Sequence, residues 1–466
     1  VNPGVRGVPE DNSVKARPPL WNRDVVEDIW TKATLGRYRI QGGATRLRVP
    51  SFDDLTFVPC TMTRVALEGY RERCETRTVL GARCASKPIV LDRPITIAGM
   101  SYGALSKTAK TALGKAATRL GISTTTGDGG MLLEERAASH ILVYQVLPSR
   151  YGFDPAHLKA ADAIEIVMGQ GAKPGTGGLL LGAKVSPVIA RQRTLPEGVD
   201  QRSPVRHPDF IGPDDLQIKI EELREATNWE KPVYVKMGAS RVSDDVKLAV
   251  KAGADVIVLD GLEGATGASP EILLDHTAIP TMSALVEAVR ALEELRVLGE
   301  VQLVISGGIK NGADAAKALA LGADAVSIGT AALMAMGADA PEYVEEFHAL
   351  GYEPGDSSIW HTGLDPTGIA TQEPELEARL DLDTAADRVF NFINAMTLEL
   401  QILARACGKA DVHDLEPEDM RALTFEASMI TGIPLAGTDF VLTPDAIAER
   451  VAALLTKGGP TGQAER

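Results

Sequence analysis

Residues 301–330, VQLVISGGIKNGADAAKALALGADAVSIGT, hold two apolar runs, each stopped by glycine. Val301 to Ile305 stops at Ser306-Gly307-Gly308, a small-residue helical stretch follows, and Ala325 to Ile328 stops at Gly329-Thr330. The pattern predicts strand, turn, helix, strand, turn, with the intervening helix making the two strands parallel. Where parallel strands end in glycines beside a helix N-terminus, free N–H groups and the helix dipole converge on one spot, and an anion such as phosphate suits it. Either glycine cluster alone is explained as well by a tight turn; two at one sheet edge favour a ligand. In barrels of eight βα units such a site follows the seventh and eighth strands, so about six earlier units are expected upstream.

The chain supplies a regular series of them. Ile95 to Ala98 ends at Gly99-Met100-Ser101-Tyr102-Gly103 and is followed by a helical stretch, Leu105 to Leu120. Ile122 to Thr125 ends at Thr126-Gly127-Asp128-Gly129-Gly130, and Ala163 to Met168 ends in GQGAKPGTGG from Gly169. Val233 to Lys236 reads as the fourth strand, Val256 to Asp260 as the fifth, and a short segment near Pro280 as the sixth. The expected fold is therefore an α/β (β/α)8 TIM barrel. We place an N-terminal arm and wrapping region at 1–93, the barrel at 94–380 and a helical extension at 381–466. Val1 to Pro19 reads as a mobile arm, Trp21 to Thr34 as a helix, and FDDLTF from Phe52 as the start of a packed layer.

Composition removes several classes of function. With 466 residues, 44% of them hydrophobic, the chain has material for one large core of roughly 250 to 350 residues. A net charge of −15 argues against a nucleic-acid or anionic-membrane surface. No apolar stretch is long enough to span a bilayer and the N-terminus is no signal peptide, so a cytoplasmic setting is expected. Cys60, Cys74, Cys84 and Cys407 form no CxxC pair, so neither a disulfide framework nor a metal site is indicated.

The chemistry is expected where the strands' C-terminal ends converge. Lys236, in YVKMG, stands at such an end, and an ammonium there suits negative charge on a reduced isoalloxazine. An exposed strand-end lysine is the plain alternative. Gln170 offers an amide able to meet the pyrimidine edge of a flavin with both donor and acceptor. Lys173, in the glycine-rich loop, suits a substrate carboxylate or is simply a solvated cation. DGLEGATGASP, from Asp260, is expected over the flavin face or the substrate. No GxGxxG opens a helix, so a nicotinamide site is unsupported.

In order along the chain, AGMSYGALS (Ala98), STTTGDGG (Ser123), GQGAKPGTGG (Gly169), YVKMG (Tyr234), DGLEGATGASP (Asp260), ISGGIKNG (Ile305), IGTAALMAMG (Ile328) and GIATQEPEL (Gly368) resemble the FMN-binding barrel domain of glutamate synthase. The likeness spans roughly residues 94–380. The N-terminal region, LPSRYGFDP (Leu147) and ARACGKADVHDLEPEDMRALTFEA (Ala404) are more similar still to the stand-alone FMN-domain subunits of N-methylglutamate synthase and its relatives. The resemblance implies FMN held by Met100, Ser101, Thr126, Gln170, Lys236, Glu263, Ser306, Gly307, Gly308, Gly329 and Thr330. It implies that Lys173 meets a carboxylate of glutamate, 2-oxoglutarate or the imine, with Asp128 where the family has glutamate. Lys236, Lys173 and Asp128 are the implied catalytic residues.

Departures from the family are as informative. Its barrel carries three cysteines before the ATQ motif that ligate an iron–sulfur cluster, whereas SSIWHTGLDPTGIATQ (Ser357) has none and places Trp360 and Asp365 at two of those positions. Thiolates hold such clusters, so no iron–sulfur cluster is expected. Leu179 stands where the family has a substrate-side glutamine. A flavin enzyme without electron entry turns over if the reaction is redox-neutral. The reading that follows is methylamine–glutamate N-methyltransferase: glutamate and methylamine give N-methylglutamate and ammonia through an imine. The resemblance implies two companion subunits in a hetero-oligomer, one amidotransferase-like and one like the glutamate synthase C-terminal domain. The alternatives are a glutamate synthase-type oxidoreductase, fed electrons by a partner to convert 2-oxoglutarate and ammonia to glutamate, and a non-catalytic scaffold.

Overall fold

In the computed structural model, residues 23–438 are described, apart from 38–39, 70, 265 and 354–356, together with 441 and 448. The arm expected at Val1 to Pro19 and most of the helical tail expected beyond Asp439 lie outside the described residues. Eight parallel strands run in chain order around a nearly closed ring: β1 (Ile95–Ile97), β2 (Ser123–Thr125), β3 (Ile141–Val146), β4 (Ala163–Val167), β5 (Val233–Gly238), β6 (Val256–Asp260), β7 (Gln302–Ser306) and β8 (Ala325–Ile328). β8 ladders onto β1 through Val326↔Ile95 and Ile328↔Ile97, and the seam between β1 and β2 is bridged by packing without a ladder. Most of these strands are buried along their whole length, as parallel strands covered on both faces must be. This is the expected (β/α)8 architecture.

Two strand assignments are corrected. The third strand is Ile141–Val146, which the sequence reading passed over, and Ile279-Pro280 is no strand. The helix before β3, Leu133–Ala138, spans only six residues, too few to show a helical period. Ile279 donates to Ala239 O and its carbonyl accepts from Leu262, after which Pro280 caps the helix Thr281–Leu295. Gln170 therefore follows the fourth strand and Lys236 sits on the fifth.

The crossover helices begin and end where sequence dictates. In α1 (Lys107–Leu120), Ser106 accepts from the Ala109 N–H at the start and Gly121 turns left-handed at the end. In α2 (Gly312–Ala320), Asn311 caps through the Asp314 N–H. Gly312 has no side chain because a Cβ there would lie 2.2 Å from Met396 O on α3 (Leu382–Ala406). α3 thus packs directly on the barrel's outer helices α1 and α2.

The N-terminal region reaches both ends of the barrel. A hairpin, Thr78–Leu80 with Ile89–Leu91, inserts Leu80, Ile89 and Leu91 into the interior cluster beside Ile141, Tyr234 and Val256. Ile40–Gly43 pairs antiparallel with Thr266–Pro270 at the opposite end, and Leu55–Phe57 pairs with Met420–Ala422 from the C-terminal segment. Among the described residues no helix is long and apolar enough to cross a membrane.

Candidate active site at the strand ends

A cavity of about 720 Å³ opens over the C-terminal ends of the strands, within the usual size range of small-molecule sites. Met100, Ser101, Asp128, Gln170, Lys173, Lys236, Glu263, Ser306, Gly307, Gly308, Gly329 and Thr330 all line it. Thr126 does not: it is buried behind the wall, where its Oγ accepts from the Gln145 N–H.

The glycine stops of β7 and β8 lie side by side, since Ser306 is paired with Ser327 across the ladder. Gly307 and Gly308 are left-handed, with φ of 113° and 71°, a conformation that glycine alone adopts without strain. The N–H groups of Gly307, Gly308 and Thr330 meet no acceptor among the described residues. A Cβ on Gly329 would meet only Ala98, at 3.8 Å, so the backbone there lies open. This donor set fits a phosphate.

Lys236 and Lys173 enter the cavity differently. Lys236 is buried, and among the described residues Asp260 Oδ2, at 3.9 Å, is the one carboxylate oxygen within 4 Å of its Nζ. Lys173 is 5% exposed, and among the described residues nothing accepts from its Nζ. Burial pulls the Lys173 ammonium down to about 8, opposed by the Asp128 charge. Asp128 is fixed by two hydroxyls, Ser149 Oγ at 2.6 Å and Ser203 Oγ at 2.6 Å. The cavity thus offers a cation for a carboxylate beside a carboxylate already held in place.

Several lining residues escaped the sequence reading. Arg193 is 3% exposed and donates to Tyr102 O at 2.7 Å and Asp128 O at 3.2 Å. It sits in RQR at the end of a seven-residue helix, where nothing in the spacing separates it from surface arginines. Lys184 is fully buried and donates to Ala104 O, Trp360 O and Ala370 O at 2.7–2.8 Å, tying three wall segments together. Burial pulls its ammonium down to about 7, with Asp365 acting against the shift. Asp365 accepts from the Thr367 and Ala370 N–H groups and the Thr367 hydroxyl, so its loop is held by carboxylate hydrogen bonds.

Two predictions arise from this wall. Gly127 has φ 83°, and a Cβ there would lie 2.4 Å from Ser101 N. Gly127→Ala is expected to cost about 2–5 kcal/mol through strain and overpacking, read as a lower denaturation midpoint. His207 donates through Nε2 to Val167 O at 2.8 Å and stacks on Phe210 at 4.3 Å. Burial pulls its pKa from 6.5 to about 4. The unfolded chain accepts a proton below about pH 6.5 that the folded state refuses until about pH 4. Stability is therefore undiminished above that window and falls through it on acidification, by up to about 3 kcal/mol from this residue. Denaturant titrations at pH 7 and 5 check this, and His207→Phe is expected to flatten the slope.

Fold and cavity together define a (β/α)8 barrel protein with a small-molecule site at the C-terminal strand ends. Residues 58–410 match the family described as the conserved region in glutamate synthase. The chain is 57% identical to the glutamate synthase large subunit-like protein of Rhizobium meliloti, over 89% of this chain and 93% of that one. It is 36% identical to the archaeal glutamate synthase [NADPH] of Methanocaldococcus jannaschii, over 87% and 82% of the two chains. This chain belongs to the glutamate synthase family. Among solved structures, a lactate oxidase from Pediococcus acidilactici shares the fold, with a TM-score of 0.51 at 15% identity over 82% of this chain and 89% of that one.

Proposed function

We propose that the chain is the FMN-dependent subunit of an N-methylglutamate synthase, forming N-methyl-L-glutamate and ammonia from L-glutamate and methylamine through an imine. FMN, when bound, supplies reversible acceptance of a hydride from the substrate α-carbon. The strand-end amides of Gly307, Gly308 and Thr330, with Ser306 and Gly329 beside them, would hold its phosphate. Met100, Ser101, Gln170 and Glu263 line the rest of its expected seat, and Lys236 would stabilise negative charge beside the isoalloxazine. Lys173 would anchor a substrate carboxylate, and Asp128, fixed by Ser149 and Ser203, would face the substrate's amino group. A bound imine must be kept from water, which the proposed companion subunits, one amidotransferase-like and one like the glutamate synthase C-terminal domain, would do by covering the mouth.

One observation carries this reading over a net reduction: the 357–372 loop holds Trp360 and the hydrogen-bonded Asp365, and no cysteine. Thiolates are what bind a cluster there, so the usual internal route for electrons has no ligands. The names of the archaeal relatives favour the second reading, a glutamate synthase-type oxidoreductase acting on 2-oxoglutarate and ammonia. The two separate in one assay of the assembled protein. Formation of N-methylglutamate from glutamate and methylamine with no added reductant is expected. Glutamate formed in step with consumption of a reductant, and no N-methylglutamate, would establish the second reading instead.

A further inference from the structure

Lys236 is not the only charge in its layer of the barrel. Tyr234 and Lys236 share one face of β5, and ladder register sets Glu165 of β4 opposite Tyr234. Tyr234 belongs to the interior cluster, so Glu165 also points inward, one layer below the ammonium. The Glu165 carboxylate is 4% exposed and is gripped by Gln145 Nε2 at 2.6 Å. A small void of about 20 Å³ beneath the cavity is lined by Glu165, Lys236 and the neutral Thr96, Ser123, Thr125, Tyr234 and Ser327, among others. On the other side, Asp260 spends one oxygen on the Gly171 N–H at 2.9 Å, and its buried Oδ1 meets no partner among the described residues. Two buried carboxylates therefore flank one buried ammonium.

We infer that Glu165 and Asp260 are positioning residues that offset the charge of Lys236 and keep the reduction potential of the bound flavin below the value a lone lysine would set. The inference rests on the FMN reading above. Buried charges lining one void in a low-dielectric interior act strongly on one another, and among the described residues no other charged side chain lines that void. Burial disfavours the Glu165 charge while Lys236 and the Gln145 amide favour it. A redox-neutral exchange needs this balance, because a cofactor held too firmly in its reduced form would accept the hydride and not return it to the imine.

The test is a potentiometric titration of the FMN-loaded protein against a reference dye, for wild type, Glu165→Gln and Asp260→Asn. Both variants are expected to shift the oxidised-to-reduced equilibrium toward reduction by about tenfold, and Glu165→Asp to return it toward wild type. Asp260→Asn reads the same effect if Glu165→Gln does not fold. An unmoved or lowered potential, in a variant that binds one FMN per chain and unfolds like wild type, overturns the inference alone. A wild-type protein that takes up no FMN overturns the cofactor reading, and this inference with it.

Discussion

Replacing Lys236 by Met is expected to slow glutamate-dependent bleaching of bound FMN by about 10²- to 10³-fold, while the protein still folds and takes up the cofactor. That is the usual loss when one preorganised stabiliser of developing charge is removed from a water-poor site. The residue meets the conditions for such an effect. It is buried, it lies at the cavity edge of β5, and the nearest carboxylate among the described residues, Asp260, is loosely placed at 3.9 Å. Uptake of FMN is expected to survive because the proposed phosphate donors belong to β7 and β8, on other strands of the ring. Rapid mixing under anaerobic conditions measures the rate, and a gel-filtered absorbance spectrum measures the occupancy. A variant that bleaches at the wild-type rate would remove Lys236 from the chemistry.

Lys173→Met is expected to weaken binding of 2-oxoglutarate by about 10- to 100-fold, the worth of one charge-assisted hydrogen bond in a buried site. Its Nζ has no protein acceptor to fall back on among the described residues, so a carboxylate ligand would be its main partner. The pH dependence has a definite sign. With its pKa pulled down to about 8, the free site carries the charge at pH 7 and loses it as pH rises through 8. The carboxylates of 2-oxoglutarate stay ionised throughout that range, so wild-type affinity is expected to fall above pH 8 and the Met variant to show a flat profile. Calorimetric titrations of the FMN-loaded protein at pH 7 and 9 decide it.

The barrel was legible because most of its strands are largely apolar and nearly every one stops at a glycine. What misled was spacing: the six-residue helix before β3 hid a strand, and the extended Ile279-Pro280 imitated one. The cavity's glycine loops were legible for the same reason as the strands, since Gly307 and Gly308 need left-handed backbone. Glu165 and Arg193 were not, whereas Asp260 belongs to the acidic glycine run expected at the site and lines the cavity. A carboxylate within an apolar strand reads as interior or exterior only once ladder register is known, because one residue of slip reverses the face. Arg193 reaches the cavity through a short helix whose orientation no local pattern sets. Thr126 shows the converse: a residue one step past a strand end has its side chain turned behind the wall, bonded to Gln145.

The most direct test is anaerobic mixing of the FMN-loaded protein with L-glutamate, followed by methylamine, while absorbance in the flavin band is recorded. The account predicts that glutamate bleaches the flavin and that methylamine restores the colour as N-methylglutamate forms, with no reductant or oxygen supplied. Flavin that stays oxidised in the presence of glutamate, or colour that returns only when an outside oxidant is added, would contradict it.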